Sequence, residues 1–179
     1  MKKFRILVLI ASSLAFSSVV IAECADGVPL VNPDSDYIDN GDGTVTHKPT
    51  GLMWMRCGYG LNWDAQTKGC VGVGENQGAT YVNWSTALEG SAELDFAGHS
   101  DWRIPNINEL RSLVEWSCSE FSINSTFFPV TYSDSVYWSS TTVMSDPTMG
   151  RVLNFKDGEE RAIRKNEYIA VARAVRGGN

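Results

Sequence analysis

The chain has 179 residues, 43% hydrophobic and 20% charged, with 16 Gly and 6 Pro, which excludes collagen-like, low-complexity and wholly disordered chains. Residues 1–22 open with Lys2, Lys3 and Arg5, run apolar over residues 6–21 and end in Val20-Ile21-Ala22, the layout of a secretory signal peptide. Its removal leaves 157 residues at a net charge of −9, enough for one domain with a core and too acidic to bind nucleic acid or an anionic membrane by bulk charge. No other segment is apolar enough to span a bilayer.

Residues 23–36 are rich in Pro, Asp and Gly and read as an N-terminal arm. Residues 37–179 read as a single domain. Tyr37-Ile38 and Thr44-Val45-Thr46 flank Asn40-Gly41-Asp42-Gly43, a hairpin signal because Gly and Asn tolerate positive φ. Lys48-Pro49-Thr50-Gly51 is a second turn. Residues 52–56 follow as a strand, with Met53 and Met55 on one face and Leu52, Trp54 and Arg56 on the other. Residues 57–80 lack periodicity and read as a loop. From Asn83 the pattern turns helical: Asn83 or Ser85 can cap, Trp84, Ala87 and Leu88 share a face, and Gly98 ends the region. In Asp101-Trp102-Arg103-Ile104-Pro105-Asn106, Asn106 stands three residues before Glu109 as in a capping box. Leu110, Leu113 and Val114 then make an apolar stripe, predicting a helix over 106–116. Residues 119–135 read as loop, 137–141 as a strand, 151–155 and 160–164 as a hairpin around Lys156-Asp157-Gly158, and 168–176 as a last strand. This order implies an α+β fold.

Four cysteines remain after export, and an even count in an exported chain reads as disulfides. Cys57 and Cys70 bracket a Gly-rich loop and form the natural local pair; Cys24 and Cys118 pair by elimination. The absence of CxxC and HxxxH argues against zinc. Bases are concentrated in residues 151–179, seven against four acids, and are expected to pair with the acidic remainder.

The blocks DNGDGTVTHKPTGLMWMR, AGHSDWRIPNINELRSLVE, YWSST, VLNFKDG and VARAVR, in that order, resemble the Lcl C-terminal domain family of bacterial exported domains, over about residues 37–176. The resemblance implies a C-type-lectin-like fold: small antiparallel sheets, paired terminal strands, two helices and a long loop region. WRIPNINEL is also similar to a segment of formylglycine-generating-enzyme relatives. The catalytic branch of those relatives uses cysteines late in the chain, and none follows Cys118 here. The EPN-like and WND triplets of calcium-dependent lectins are absent as well; Asn62-Trp63-Asp64 reads NWD and lies in the wrong region.

His99-Ser100-Asp101 contains triad residue types, but three consecutive side chains cannot adopt triad geometry. No GxSxG, HExxH, P-loop or GxGxxG occurs, so the chain is expected not to be an enzyme, to carry no metal and to need no cofactor. Asp34, Asp36, Asp39, Asn40 and Asp42 are hard oxygen ligands of the kind calcium takes, but their spacing is not that of an EF-hand, and they read as turn chemistry. Trp54, Trp84, Trp102 and Trp138 are assigned to the core. Tyr59 and Trp63 in the disulfide loop, and Tyr132 in the later loop, are expected to be exposed and to bind ligand by their rings. In C-type-lectin-like folds the long loop is the variable surface. The corresponding residues 119–151 hold few charges and add Met144 and Arg151 to the candidate contacts, favouring a neutral ligand bound with weak salt dependence. The chain is therefore expected to be an exported, periplasmic or cell-surface binding or adhesion module, its partner an envelope glycan or a surface protein. The alternatives are a structural subunit of a surface assembly and a carboxylate-dependent envelope enzyme.

Overall fold

The computed structural model describes residues 23–73, 78–129, 131–132 and 134–177; the expected signal peptide lies outside them. Elements follow in the order β1 (Glu23–Cys24), a short 3-10 turn (Asp34–Asp36), β2 (Tyr37–Asp39), β3 (Thr44–His47), β4 (Leu52–Met55), β5 (Leu61–Asp64), β6 (Gly69–Gly72), α1 (Trp84–Ala92), α2 (Ile107–Arg111), β7 (Cys118–Ser119), β8 (Val136–Val143), β9 (Asp146–Asn154), β10 (Glu160–Arg164) and β11 (Val175–Arg176). The fold is α+β: antiparallel sheets β2-β3-β4-β11, β8-β9-β10, β5-β6 and β1-β7, with two helices. That arrangement is consistent with a C-type-lectin-like label. Among the described residues no helix is long and apolar enough to cross a membrane.

The four-stranded sheet forms where the turn residues demand it. Asp39 accepts a hydrogen bond from the Gly41 amide and Asp42 from the Thr44 amide, each at 2.9 Å, so carboxylates two residues upstream brace the β2–β3 turn. On β4, Leu52 and Trp54 are buried and Met53 and Met55 half-buried, the expected alternation. Val175 of β11 pairs with Trp54, so the end of the chain closes onto its first hairpins. One core cluster lies between this sheet and α2, around Trp54, Leu110, Val114, Phe128, Tyr137 and Val171. A second holds Val82, Ala87, Ile104, Trp138 and Val152 beneath α1.

Several expectations are corrected. Asn106 and Glu109 do form the capping box, and Asn83 caps α1 by accepting from the Thr86 amide. The predicted helix 106–116 nevertheless ends at Arg111. The Leu113 and Val114 amides turn back to the carbonyls of Leu110 and Arg111, and Glu115 bonds the Ser122 carbonyl instead of continuing the helix. Leu113 and Val114 are fully buried all the same, so the apolar stripe served tertiary packing and not helix length. The predicted loop 57–80 contains the β5–β6 hairpin, with Trp63 opposite Cys70. The expected loop does end at Ser135 and the expected strand 137–141 is present, but that strand is longer, Val136–Val143, and its partner β9 starts at Asp146 and not at the expected residue 151, so the wider region 119–151 holds β8 and much of β9. The last strand shrinks to Val175–Arg176, with single bridges at Ala170 and Val171 before it.

Both expected disulfides are present, Cys57–Cys70 and Cys24–Cys118, and no cysteine is free. The second ties the arm to β7. The arm is also held by buried Glu115, which accepts from the Val31 and Asn32 amides at 2.9 and 2.8 Å and from the Ser117 hydroxyl. The Asn32 side chain in turn donates to the Val114 carbonyl and meets buried His47.

Candidate functional site

The residues after β4 leave the sheet through Arg56, which is buried and bonded on every side. It donates to the carbonyls of Thr126 and Phe127 at 2.8 and 3.0 Å and to Asp39 at 3.0 Å. Its guanidinium lies 4.2 Å from the centre of the Trp63 ring, a cation–π contact that fixes the β5–β6 hairpin to the sheet. The Cys57–Cys70 disulfide ties β6, at the residue opposite Trp63, to the residue that follows Arg56, and the Tyr59 amide donates to the Ala172 carbonyl at 2.8 Å. Arg173, fully buried, donates to the Met55, Arg56 and Thr131 oxygens and lies over the Phe128 ring. Burial pushes its guanidinium below its ordinary pKa.

Alternation around Arg173 sends Ala172 and Ala174 to the opposite side. Their small side chains leave a cleft of about 260 Å³ between the disulfide hairpin and the end of α1. Met55, Leu61, Ile104 and the two alanines make its floor; Tyr59 and Val73 stand on one wall, Leu94 and Phe96 on the other, and Asn62 and Asp95 at the rim. The Ser91 hydroxyl also faces this space but is spent on the Leu88 carbonyl. The Tyr59 hydroxyl, the Asn62 amide and the Asp95 carboxylate have no hydrogen-bond or ion-pair partner among the described residues. An apolar, preformed hollow with a few unspent polar groups is the usual form of a ligand site.

The five residues expected to contact ligand do not converge. Tyr59 lines the cleft, its ring against α1 at Gly90. Trp63 does not: it is half-buried, clamped on Arg56 and against Gly43. Tyr132 is also half-buried, its hydroxyl accepting from the Ala79 amide at 3.1 Å. The expected exposure of Tyr59, Trp63 and Tyr132 is corrected accordingly. Met144, at the β8–β9 tip, is 97% exposed, and Arg151 is paired with Glu160 across β9 and β10. Trp54, Trp102 and Trp138 are core residues as expected, whereas Trp84 is half-buried with the Lys165 ammonium 3.7 Å from its ring centre. Trp116, which the sequence does not single out, is 53% exposed. The C-terminal bases are largely paired: Arg161 with Asp157 and Glu159, Arg164 with Glu167, Arg176 with Asp101.

The cluster Asp34–Asp42 is spread over separate tasks. Asp39 holds Arg56, Asp42 braces Thr44 and Asp34 accepts from Asn124. Among the described residues no three His, Cys, Asp or Glu side chains group as metal ligands would.

What sequence reasoning missed is the α1 wall and the floor. Leu94 and Phe96 read only as residues near the end of a helix, and two alanines carry no signal of a cavity until Arg173 is known to point the other way. No curated protein matches the chain. The model of the Lcl C-terminal domain family matches residues 43–176, and the chain belongs to that family. Membership suggests an exported, surface-associated domain, and the two disulfides are consistent with export.

Proposed function

We propose that this Lcl C-terminal domain protein is a non-catalytic binding module that recognises a glycan or a protein at the bacterial cell envelope, and that the ligand enters the cleft between the disulfide hairpin and α1. The observation that carries this reading is the cleft itself: an apolar hollow, with Tyr59, Asn62 and Asp95 unspent at its walls and rim. Both of its sides are held by covalent or buried contacts, so little conformational entropy is lost on binding. A carboxylate enzyme would need two acids facing each other across the site, and Asp95 is the one acid among the described lining residues. Both disulfides occupy the thiols, and the imidazole of His47 is buried against Asn32 and Thr50.

The test is retention of residues 23–179 on an immobilised envelope fraction, with Val73→Trp as the blocking variant. Val73 is 52% exposed at the mouth, so an indole there covers the cleft without entering the core. Retention lost in Val73→Trp at an unchanged melting temperature supports the reading. Protease or periodate treatment of the fraction then separates protein from glycan. Retention equal in both proteins, or turnover of an envelope substrate, refutes it.

A further inference from the structure

We infer that the occupant of this cleft is a protein segment that inserts one large apolar side chain beside a lysine or arginine; the inference rests on the cleft reading above. Three observations point to that chemistry. The first is size. At about 260 Å³ the cleft exceeds the roughly 150 Å³ cavity that takes up benzene, so it accommodates a single leucine, phenylalanine or tryptophan side chain but not a folded element.

The second is polarity. A sugar ring carries a hydroxyl on most of its carbons. Against Met55, Leu61, Leu94, Phe96 and Ile104 most of those would be buried without partners, and each such loss weakens binding by roughly five- to a hundredfold. The Tyr59 hydroxyl and Asn62 amide are enough for the backbone flanking one inserted side chain; they are too few for a pyranose.

The third is charge. The lining contains one carboxylate, Asp95, and no base. Asp95 is exposed and has no ion-pair partner among the described residues, whereas most acids of the C-terminal hairpins are paired. An unpaired carboxylate at the lip of an apolar hollow complements a cation attached to an apolar group. Because Asp95 is solvent-exposed, its contribution is modest, about two- to fivefold in affinity, and the resulting salt dependence is weak. A polyanion would find no base in this cleft.

The experiment is calorimetric titration of residues 23–179 with acetyl-Lys-Phe-Lys-amide, its Glu-Phe-Glu and Lys-Ala-Lys counterparts, and the trisaccharide of N-acetylglucosamine, using wild type, Asp95→Asn and Val73→Trp. The Lys-Phe-Lys peptide is expected to bind best. Replacing Phe by Ala should cost about tenfold or more, and replacing both Lys by Glu about two- to fivefold or more. Asp95→Asn should abolish the Lys-over-Glu preference while retaining the Phe-over-Ala preference, and Val73→Trp should abolish binding. Equal binding of the Lys and Glu peptides, or a preference that survives Asp95→Asn, overturns the cationic part. A trisaccharide that binds more tightly than the peptides and is blocked by Val73→Trp overturns the inference and leaves the cleft reading standing. Ligands that bind equally to wild type and Val73→Trp overturn both.

Discussion

Gly43 offers the sharpest test of how the turn chemistry and the site are joined. Its φ is +90°, a conformation an L-residue enters at a cost of about 1–2 kcal/mol. It is also buried: a Cβ built there would lie 2.7 and 2.6 Å from Cβ and Cγ of Trp63 and 2.9 Å from Cζ of Phe96. The Phe96 atom is the far end of a side chain, but the Trp63 atoms are the root of one, clamped between Gly43 and Arg56. Relief therefore requires the β5–β6 hairpin to move, and overpacking of this kind adds about 1–3 kcal/mol. Gly43→Ala should cost about 2–5 kcal/mol in all, a large part of a domain's stability. Gly41 supplies the control. Its φ is +80°, and a Cβ there meets nothing within 4 Å, so Gly41→Ala should show the backbone cost alone. Urea denaturation with disulfides intact reads both, and the unfolding free energies should differ by about 1–3 kcal/mol, seen as a lower midpoint for Gly43→Ala at an equal slope. Equal midpoints would mean that Trp63 is not held as described, and the account of the cleft wall would fall with it.

Other outcomes follow from the same contacts. Trp102 is buried and donates to the Phe96 carbonyl at 3.1 Å, so Trp102→Ala should cost roughly 3–5 kcal/mol by thermal melting. Trp63→Ala should also lower the melting temperature, by the loss of its packing and of a cation–π contact worth about 0.5–2 kcal/mol, instead of acting as a silent surface change. Acid should unfold the arm in two stages. Burial pushes the His47 imidazole below its ordinary value, so the stability of its neutral folded form is lost as pH falls below about 6.5. Burial pushes the Glu115 carboxyl up, but hydrogen bonds from Ser117, Val31 and Asn32 outweigh it and leave its pKa lowered. Its contribution is complete above about 4.3 and is lost as pH falls toward the depressed folded value. Stability measured from pH 7.5 to 3 should show both phases. His47→Gln should remove the first, and persistence of that phase would refute the assignment.

The features legible in the sequence are those in which a few neighbouring residues decide their own conformation. Asn40-Gly41-Asp42-Gly43 brings its own turn geometry, Asn106 and Glu109 their own cap, and the alternation of Leu52 and Trp54 their own burial. The illegible features are those settled by partners distant in the chain. Glu115 leaves the helix because Ser122 is there to accept its amide. Thr142 and Val143 carry the strand past the expected 137–141 because Gly150 and Asp146 of β9 lie opposite them.

The candidate site belongs almost wholly to the second kind, and the physical reason is instructive. Tyr59 was identifiable because a disulfide loop rich in glycine advertises itself, yet the loop's second aromatic, Trp63, is committed to a buried arginine that looked from the sequence like part of an ordinary strand. Arg56 and Arg173 act alike: each is buried, each donates to backbone carbonyls of distant segments, and each lies over an aromatic ring. A guanidinium can do this because its five donors fan out in one plane while its faces remain free for rings. Lysine offers no such plane, so Arg56→Lys or Arg173→Lys would keep the charge and lose the clamp. The cleft exists because these two arginines draw the hairpin and residues Thr126, Phe127 and Thr131 to one side, leaving only Ala172 and Ala174 to face the other. The sequence sets Arg56 on the strand face of Leu52 and Trp54 and counts Arg173 among bases expected to pair with acids; in the fold both are buried and bonded to backbone carbonyls, and they frame the wall of the cleft.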